Sequence, residues 1–429
     1  MLPGPIKHVV ADLKTLPRQF WVLAGGIVVY LIGVEMSYPY ETLYLNGRLG
    51  ISMTTLGVIL GVTLLATLPL QVAGGALCDK VGRRPVLIIA VLGTMTLYVG
   101  LGLTTDLAII VALIAFEAAF GWAQFLTASN AMIADVTTVE QRTEAYGVSR
   151  VALNAGITVG PLLAIPLLAA DPSYRLNFFA SAVVAGAFLL IVIVRIHETR
   201  PATVEAPPIT AVFRGYGAIL RDRSMLAFCL FALLPLYAFG QIWATMPVML
   251  SDLHGVTAQH WSIAMVVYGI SLVSLQYPVI RVLGRGDHML LLSLSCVALG
   301  AGVGAAAFVP WPATLACIVS IALGIVLLLP IAAAVVSRLA PPKLRGRYMG
   351  VWTIVYMGGY ALGPLIGGWA LDALGGRVAF LGITAACLAG AALFPLLRRS
   401  VRDRLDEAER LDAAALGGAL LGERPEQVV

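Results

Sequence analysis

Long apolar runs separated by short polar breaks organise this chain. Twelve runs can be bounded, at roughly 20–44, 54–77, 86–104, 107–132, 144–168, 177–196, 225–249, 261–283, 290–309, 314–337, 348–371 and 378–397. Each is close to the ~20 residues an α-helix needs to cross a bilayer. The first run is long and lacks a small-residue cleavage site, so it reads as a spanning helix and not as a removable leader. The pattern predicts an all-α membrane protein with twelve transmembrane helices.

Composition agrees. Mean hydropathy is +0.91, and 59% of residues are apolar against 12% charged, about half the charge of a soluble protein. The placement of charge adds the orientation. With the N-terminus inside, 24 of the 28 Lys and Arg fall on the inner side and three (Arg48, Arg175, Arg377) on the outer; Arg150 lies within a run. That asymmetry predicts cytoplasmic termini. The basic residues suit the inner membrane surface, not nucleic acid. The five cysteines are scattered and read as small core residues.

One pattern occurs twice, 203 residues apart. Gly147, Gly156, Gly160 and Pro161 recur with the same spacing as Gly350, Gly359, Gly363 and Pro364, and Arg142 recurs as Arg345. The chain therefore reads as two related six-helix halves, 1–196 and 224–397, with a cytoplasmic linker at 197–223 and a cytoplasmic tail at 398–429. Six helices separate the copies, so the repeats are parallel. Arg214–Arg223 reads as a short surface helix, and Arg398–Asp412 as a helix in the tail.

Two acids lie deep in apolar runs: Glu35 in the first and Glu117 in the fourth. Each is roughly 15 Å from the nearer face at 1.5 Å per residue. A charge there costs at least about 2.5 kcal/mol, and such groups are usually functional. A carboxyl that is neutral in one state and charged in another can carry a proton or bind a cation. Gln124 lies on the same helical face as Glu117. Arg150 either serves as a counter-charge or snorkels to the inner interface. Asp135, just past the fourth run at the helix end, is either a switch for the loop after the second run or a solvated helix-end acid.

The loop after the second run reads Gly75-Ala-Leu77-Cys-Asp79-Lys80-Val-Gly82-Arg83-Arg84. Gly75 allows close helix packing, Asp79 sits at a helix end, Gly82 permits a tight turn, and Arg83 and Arg84 hold the loop at the anionic leaflet. Every defined position matches the signature of the major facilitator superfamily, which the chain resembles strongly. In that family the loop latches the cytoplasmic side shut. The second-half stretch Arg281–Asp287 is degenerate. The duplicated glycine pattern resembles the antiporter motif of the same family. It is complete in the eleventh run, ending Gly367-Gly368, whereas Ala164-Ile165 replace the final pair in the fifth. Ser129–Asp135 with Glu140–Arg142 resembles multidrug/proton antiporters such as the lactococcal one. Glu117-x-x-x-Gly121 stands where many drug/proton exchangers carry Arg-x-x-x-Gly.

The resemblance implies a multi-pass protein of the bacterial inner membrane, monomeric, using no cofactor or metal. It places the cavity on the first, fourth, seventh and tenth helices, with Tyr38, Tyr40, Trp122, Gln124, Phe125, Tyr237, Gln241 and Trp243 as lining candidates. An aromatic cavity with buried acids suits lipophilic cations. The expected function is proton-coupled export of amphipathic, cationic small molecules by alternating access. Its rival is a transporter of a physiological solute such as a sugar or lipid, by symport or uniport. A receptor or scaffold has no use for a latch. An enzyme is disfavoured because the sequence shows no phosphate loop, metal cluster or nucleophile–base pair.

Overall fold

The computed structural model describes residues 15–138, 141–200, 216–219, 221–283, 286–341, 344–399 and 401. Twelve of its helical segments are long and apolar enough to cross a membrane. The first half comprises α1 (Arg18–Glu35), α2 (Met53–Val81), α3 (Arg83–Leu103), α4 (in two pieces, Leu107–Phe120 and Trp122–Val136), α5 (Arg142–Ala170) and α6 (Arg175–Arg195). The second comprises α7 (Arg223–Gln241), α8 (Ala258–Leu283), α9 (His288–Ala306), α10 (Thr314–Leu339), α11 (Arg345–Leu374) and α12 (Gly376–Leu393). Among the described residues there is no strand. Most of the linker and tail, including much of the two short helices expected there, lies outside the described residues.

Polar residues at the breaks start the helices. Ser52 accepts the Thr55 N–H at 3.1 Å, Asp106 caps α4, Asp222 caps α7 and Asp287 caps α9. These caps satisfy donors that have no partner inside a helix.

Two runs break where the hydrophobic pattern is continuous. The first run was expected to be helical to 44, but α1 ends at Glu35 and passes into a 3-10 turn, Tyr38–Tyr40, that contains Pro39. The seventh was expected to be helical to 249. Instead α7 ends at Gln241, and a separate short helix, Met246–His254, carries Pro247 in its first turn. Proline lacks an N–H, and its ring clashes with the carbonyl four residues back, which disfavours continuing the helix at Pro39 and Pro247, although Pro235 is accommodated inside α7.

Within the first half α1 packs on α5 and α6, and α3 on α6; in the second half α7 packs on α11 and α9 on α10. The halves meet through α2 against α11 and α5 against α8. A methyl group at Gly57 would collide with the Pro364 carbonyl, and one at Gly368 with the Met53 carbonyl, so glycines set the closeness of the α2–α11 crossing. Asp372 of α11 accepts hydrogen bonds from the Thr54 N–H and hydroxyl, both at 2.7 Å, at the start of α2. These contacts, and Gln259 donating to the Leu168 carbonyl at 3.0 Å, lie at the end of the bundle opposite the Asp79–Arg84 loop. The two ends are called the far end and the latch end below.

Candidate functional site

Glu35 closes α1 at its crossing with α5. An added Cβ at Gly160 would sit 2.7 Å from the Glu35 Cβ, so glycine is what lets the α5 backbone reach the acid. The second half repeats the arrangement: a Cβ at Gly363 would lie 2.7 Å from the Gly240 backbone of α7. The matching position on α7 thus carries no side chain where α1 carries a carboxylate. Glu35 is 8% exposed, and its Oε2 accepts no hydrogen bond from the described residues.

Beyond Glu35 the halves are joined by hydroxyls. Tyr38 bonds Tyr360 of α11 at 3.1 Å, and Tyr40 bonds Ser262 of α8 at 2.7 Å. The Tyr38 ring also lies 5.6 Å from Trp243, which stands edge-on to Tyr268 at 6.1 Å. The acid therefore sits directly beneath an aromatic seam that closes the far end.

Glu117 lies one turn before the break in α4. Gly121 has φ −96 and ψ −105, outside helical values, and splits the helix. The Glu117 carboxylate bends back and accepts the Trp122 N–H at 2.9 Å. It caps the second piece of its own helix, where the dipole favours a negative charge. Gln124 completes the repair: its Nε2 donates to the Ala119 carbonyl at 3.0 Å and to Leu70 of α2 at 3.1 Å. Glu117 remains half-buried.

At the latch end Arg83 is buried. It bonds Asp79 at 3.1 Å, Asp135 of α4 at 2.9 Å and the Cys78 carbonyl at 3.0 Å. Glu198, just past α6, accepts the backbone N–H groups of Arg83 at 2.9 Å and Arg84 at 3.1 Å. Gly82 has φ +106, which favours glycine, and a methyl group there would strike the Glu198 carboxylate. Burial raises the Glu198 carboxyl, but the N–H groups of Arg83, Arg200, Arg84 and Thr199 outweigh it and hold it below the ordinary carboxylate range. Among the described residues, these partners belong to the first half and to the start of the linker, at Glu198–Arg200.

The sequence matches the Major Facilitator Superfamily over residues 23–285 and 236–424. The chain belongs to this superfamily. It is 28% identical over 367 residues to the multidrug resistance protein MdtH of Aeromonas hydrophila, covering 82% of this chain and 87% of that one. It is 26% identical over 381 residues to the uncharacterized MFS-type transporter YttB of Bacillus subtilis, covering 86% and 92%. Its fold is similar to a bacterial homolog of the lysosomal transporter Spinster in an inward-facing, unoccupied conformation (TM-score 0.72, 14% identity, 90% of this chain and 97% of that one). The nucleoside transporter NupG matches with TM-score 0.74 at 15% identity, over 89% and 99%. As a superfamily member the chain is a multi-pass membrane transporter of small molecules and not an enzyme.

Several superfamily motif residues sit differently from the sequence expectation. Gln241 is fully buried and donates to the Gly363 carbonyl at 3.0 Å, locking α7 to α11 and lining no cavity. Gln124 is likewise a packing group, for the reason given above. Trp122 stacks on Phe125 at 5.7 Å, and Tyr237 is half-buried. Nothing lies within 4 Å of a Cβ at Gly75 or Gly147; Gly74, one residue earlier, makes the close approach to Gln124. Arg83 pairs with Asp79 and Asp135, and Arg84 donates to the Val192 and Ile193 carbonyls at the end of α6; carboxylates and helix-end carbonyls hold them in place of the leaflet. Arg150 is exposed and forms no ion pair with Glu35 or Glu117. Gly156 and Gly359 do make close contacts, with Leu31 and Leu236, and Gly350 is half-buried. Pro161 and Pro364 lie inside α5 and α11. All five cysteines are buried.

Sequence reasoning missed four groups. Glu41 is buried, a third acid in the first half; the run read as 20–44 already contained it. Glu198, Tyr360 and Asp372 carry no local signal, because their partners are 115, 322 and 318 residues away.

Proposed function

We propose that this chain is a proton-coupled exporter of amphipathic, cationic small molecules, working by alternating access in the bacterial inner membrane as a monomer. The latch end is cytoplasmic in this reading, as the basic-residue asymmetry indicates, and the conformation described is inward-facing. The observation that carries the proposal is the placement of Glu35. An acid more than nine-tenths buried, with an unmet oxygen, sits at the α1–α5 crossing, three residues before Tyr38, whose hydroxyl joins the two halves and whose ring faces Trp243.

Such a carboxyl is stable in apolar surroundings when protonated and needs a cation or a polar opening when charged. Protonation from outside therefore competes with a bound organic cation for the same group. Release of substrate outward and of protons inward completes the cycle, with Glu117 as the half-buried acid from which the proton leaves. The MdtH relatives, named for multidrug resistance, support this substrate class over a sugar or lipid.

The test is ethidium uptake into inverted vesicles with an imposed pH gradient. Expected are accumulation by the wild-type protein that an uncoupler collapses, and at least about ten-fold less in Glu35→Gln at equal protein levels. Accumulation unaffected by the uncoupler would leave the rival uniport of a physiological solute standing. Unchanged accumulation in Glu35→Gln and Glu117→Gln alike would remove the assigned acids.

A further inference from the structure

Glu41 takes no part in the mechanism above. It lies one residue past the apolar span Arg18–Tyr40, at the far end, and is 7% exposed. Its carboxylate lies near the Tyr98 hydroxyl of α3, which donates instead to the Val34 carbonyl at 3.2 Å. One helical turn deeper on the same face of α3, the Thr94 hydroxyl bonds Tyr30 at 2.8 Å and lies near the Glu117 carboxylate. Glu41, Tyr98, Thr94 and Glu117 thus follow one another from the far end toward the membrane centre, with Tyr98 and Thr94 about 6 Å apart along α3 at 1.5 Å per residue. Aromatic rings enclose this row. Phe178 stacks on Tyr98 at 6.4 Å, and Phe125 covers Tyr30 at 4.0 Å.

A second observation marks this region as a polar passage and not a packed core. Thr42 Oγ1 and Asn177 Oδ1 are buried and make no hydrogen bond with the described residues. Asn177 is held against helix 1 by its Nδ2, which donates to Ser37 Oγ at 3.1 Å, between Glu35 and Glu41. Leaving such groups unmet costs roughly 1–3 kcal/mol each, and a passage for hydrated protons supplies what they lack.

Resting on the proton-coupled reading, we propose that Glu41 is a further proton-handling residue, loading Glu117 from the far end along a path inside the first half and separate from the substrate cavity. The transfer is a relay. The Glu41 O–H bond breaks as its proton moves to Tyr98 Oη. The Tyr98 proton passes to a water spanning the turn to Thr94, and Thr94 delivers a proton to the Glu117 carboxylate, with no net charge left on either hydroxyl. The acids facing Glu41 are Glu35 and Glu117. In the present conformation the Tyr98 proton is directed at Val34, so the row is interrupted while Glu117 is half-buried. That interruption keeps proton entry and proton release from coinciding.

The test uses the full-length protein in proteoliposomes, with ethidium as probe, in two modes: accumulation driven by a pH gradient, and dye counterflow without one. For Glu41→Gln, pH-driven accumulation should fall at least about ten-fold while counterflow stays close to wild type. Tyr98→Phe, which keeps the ring and removes only the hydroxyl, should move in the same direction. Unchanged pH-driven accumulation in Glu41→Gln overturns the proposal. Equal loss of both modes in both variants also overturns it, by showing a structural role. A wild-type protein that exchanges dye yet ignores the pH gradient sinks the proton-coupled reading itself, and this proposal with it.

Discussion

The Glu117 carboxylate accepts the Trp122 N–H at 2.9 Å across the break at Gly121. One side chain thereby both caps a half-helix and places an acid at mid-membrane. The two roles separate on substitution. Glu117→Gln keeps a carbonyl acceptor for the cap and loses the charge, so its melting temperature in detergent should stay near wild type. Glu117→Ala loses the cap and should cost about 1 kcal/mol. Equal melting of Gln and Ala variants would show that the cap is unimportant.

The Tyr38–Tyr360 bond joins the halves at the far end. Removing it with Tyr360→Phe should cost about 1 kcal/mol of that closure, or roughly five-fold in the equilibrium between conformations. Thiol labelling of Asn130→Cys in a cysteine-free background reads this. Labelling from the latch end should slow in Tyr360→Phe, and also in Asp372→Asn, which weakens the hold on Thr54. Faster labelling would contradict the assignment of the closed end.

Glu198 fastens the latch loop to the end of α6. Its carboxyl lies below the ordinary range in the folded protein, so the charged form is the stabilising one. That contribution is complete at neutral pH. It is lost as pH falls below the unfolded-state value, near 4.5, through the lower folded one. The wild-type and Glu198→Gln proteins should therefore differ in melting temperature at pH 7 and converge on strong acidification. A gap that persists in acid would show that charge is not the cause.

Glycines of one motif should behave oppositely. Gly363→Val drives a side chain into the Gly240 backbone and should destabilise by about 1–3 kcal/mol. Gly147→Ala meets nothing within 4 Å and should be neutral or stabilise by up to about 1 kcal/mol, since alanine is the better helix former. Comparing the two melts in one detergent decides whether contact or motif membership governs these positions.

The amino-acid sequence alone determined the twelve spans, the duplication and the family, because these rest on run length, spacing and a contiguous loop motif. Each can be read within a few dozen residues. The acids Glu35 and Glu117 were legible for the same reason: charge inside an apolar run is a local anomaly. The tertiary structure decided what each residue faces. Gln241 and Gln124 resembled cavity groups but bond backbone carbonyls of α11 and α2. Arg83 resembled a leaflet anchor and is buried between two aspartates. Glu41 became part of a row only through α3. A helix that is apolar on all sides carries no stripe to show which face turns inward. Its rotation, and the breaks at Pro39, Gly121 and Pro247 that reset it, emerge only when the helices pack against one another.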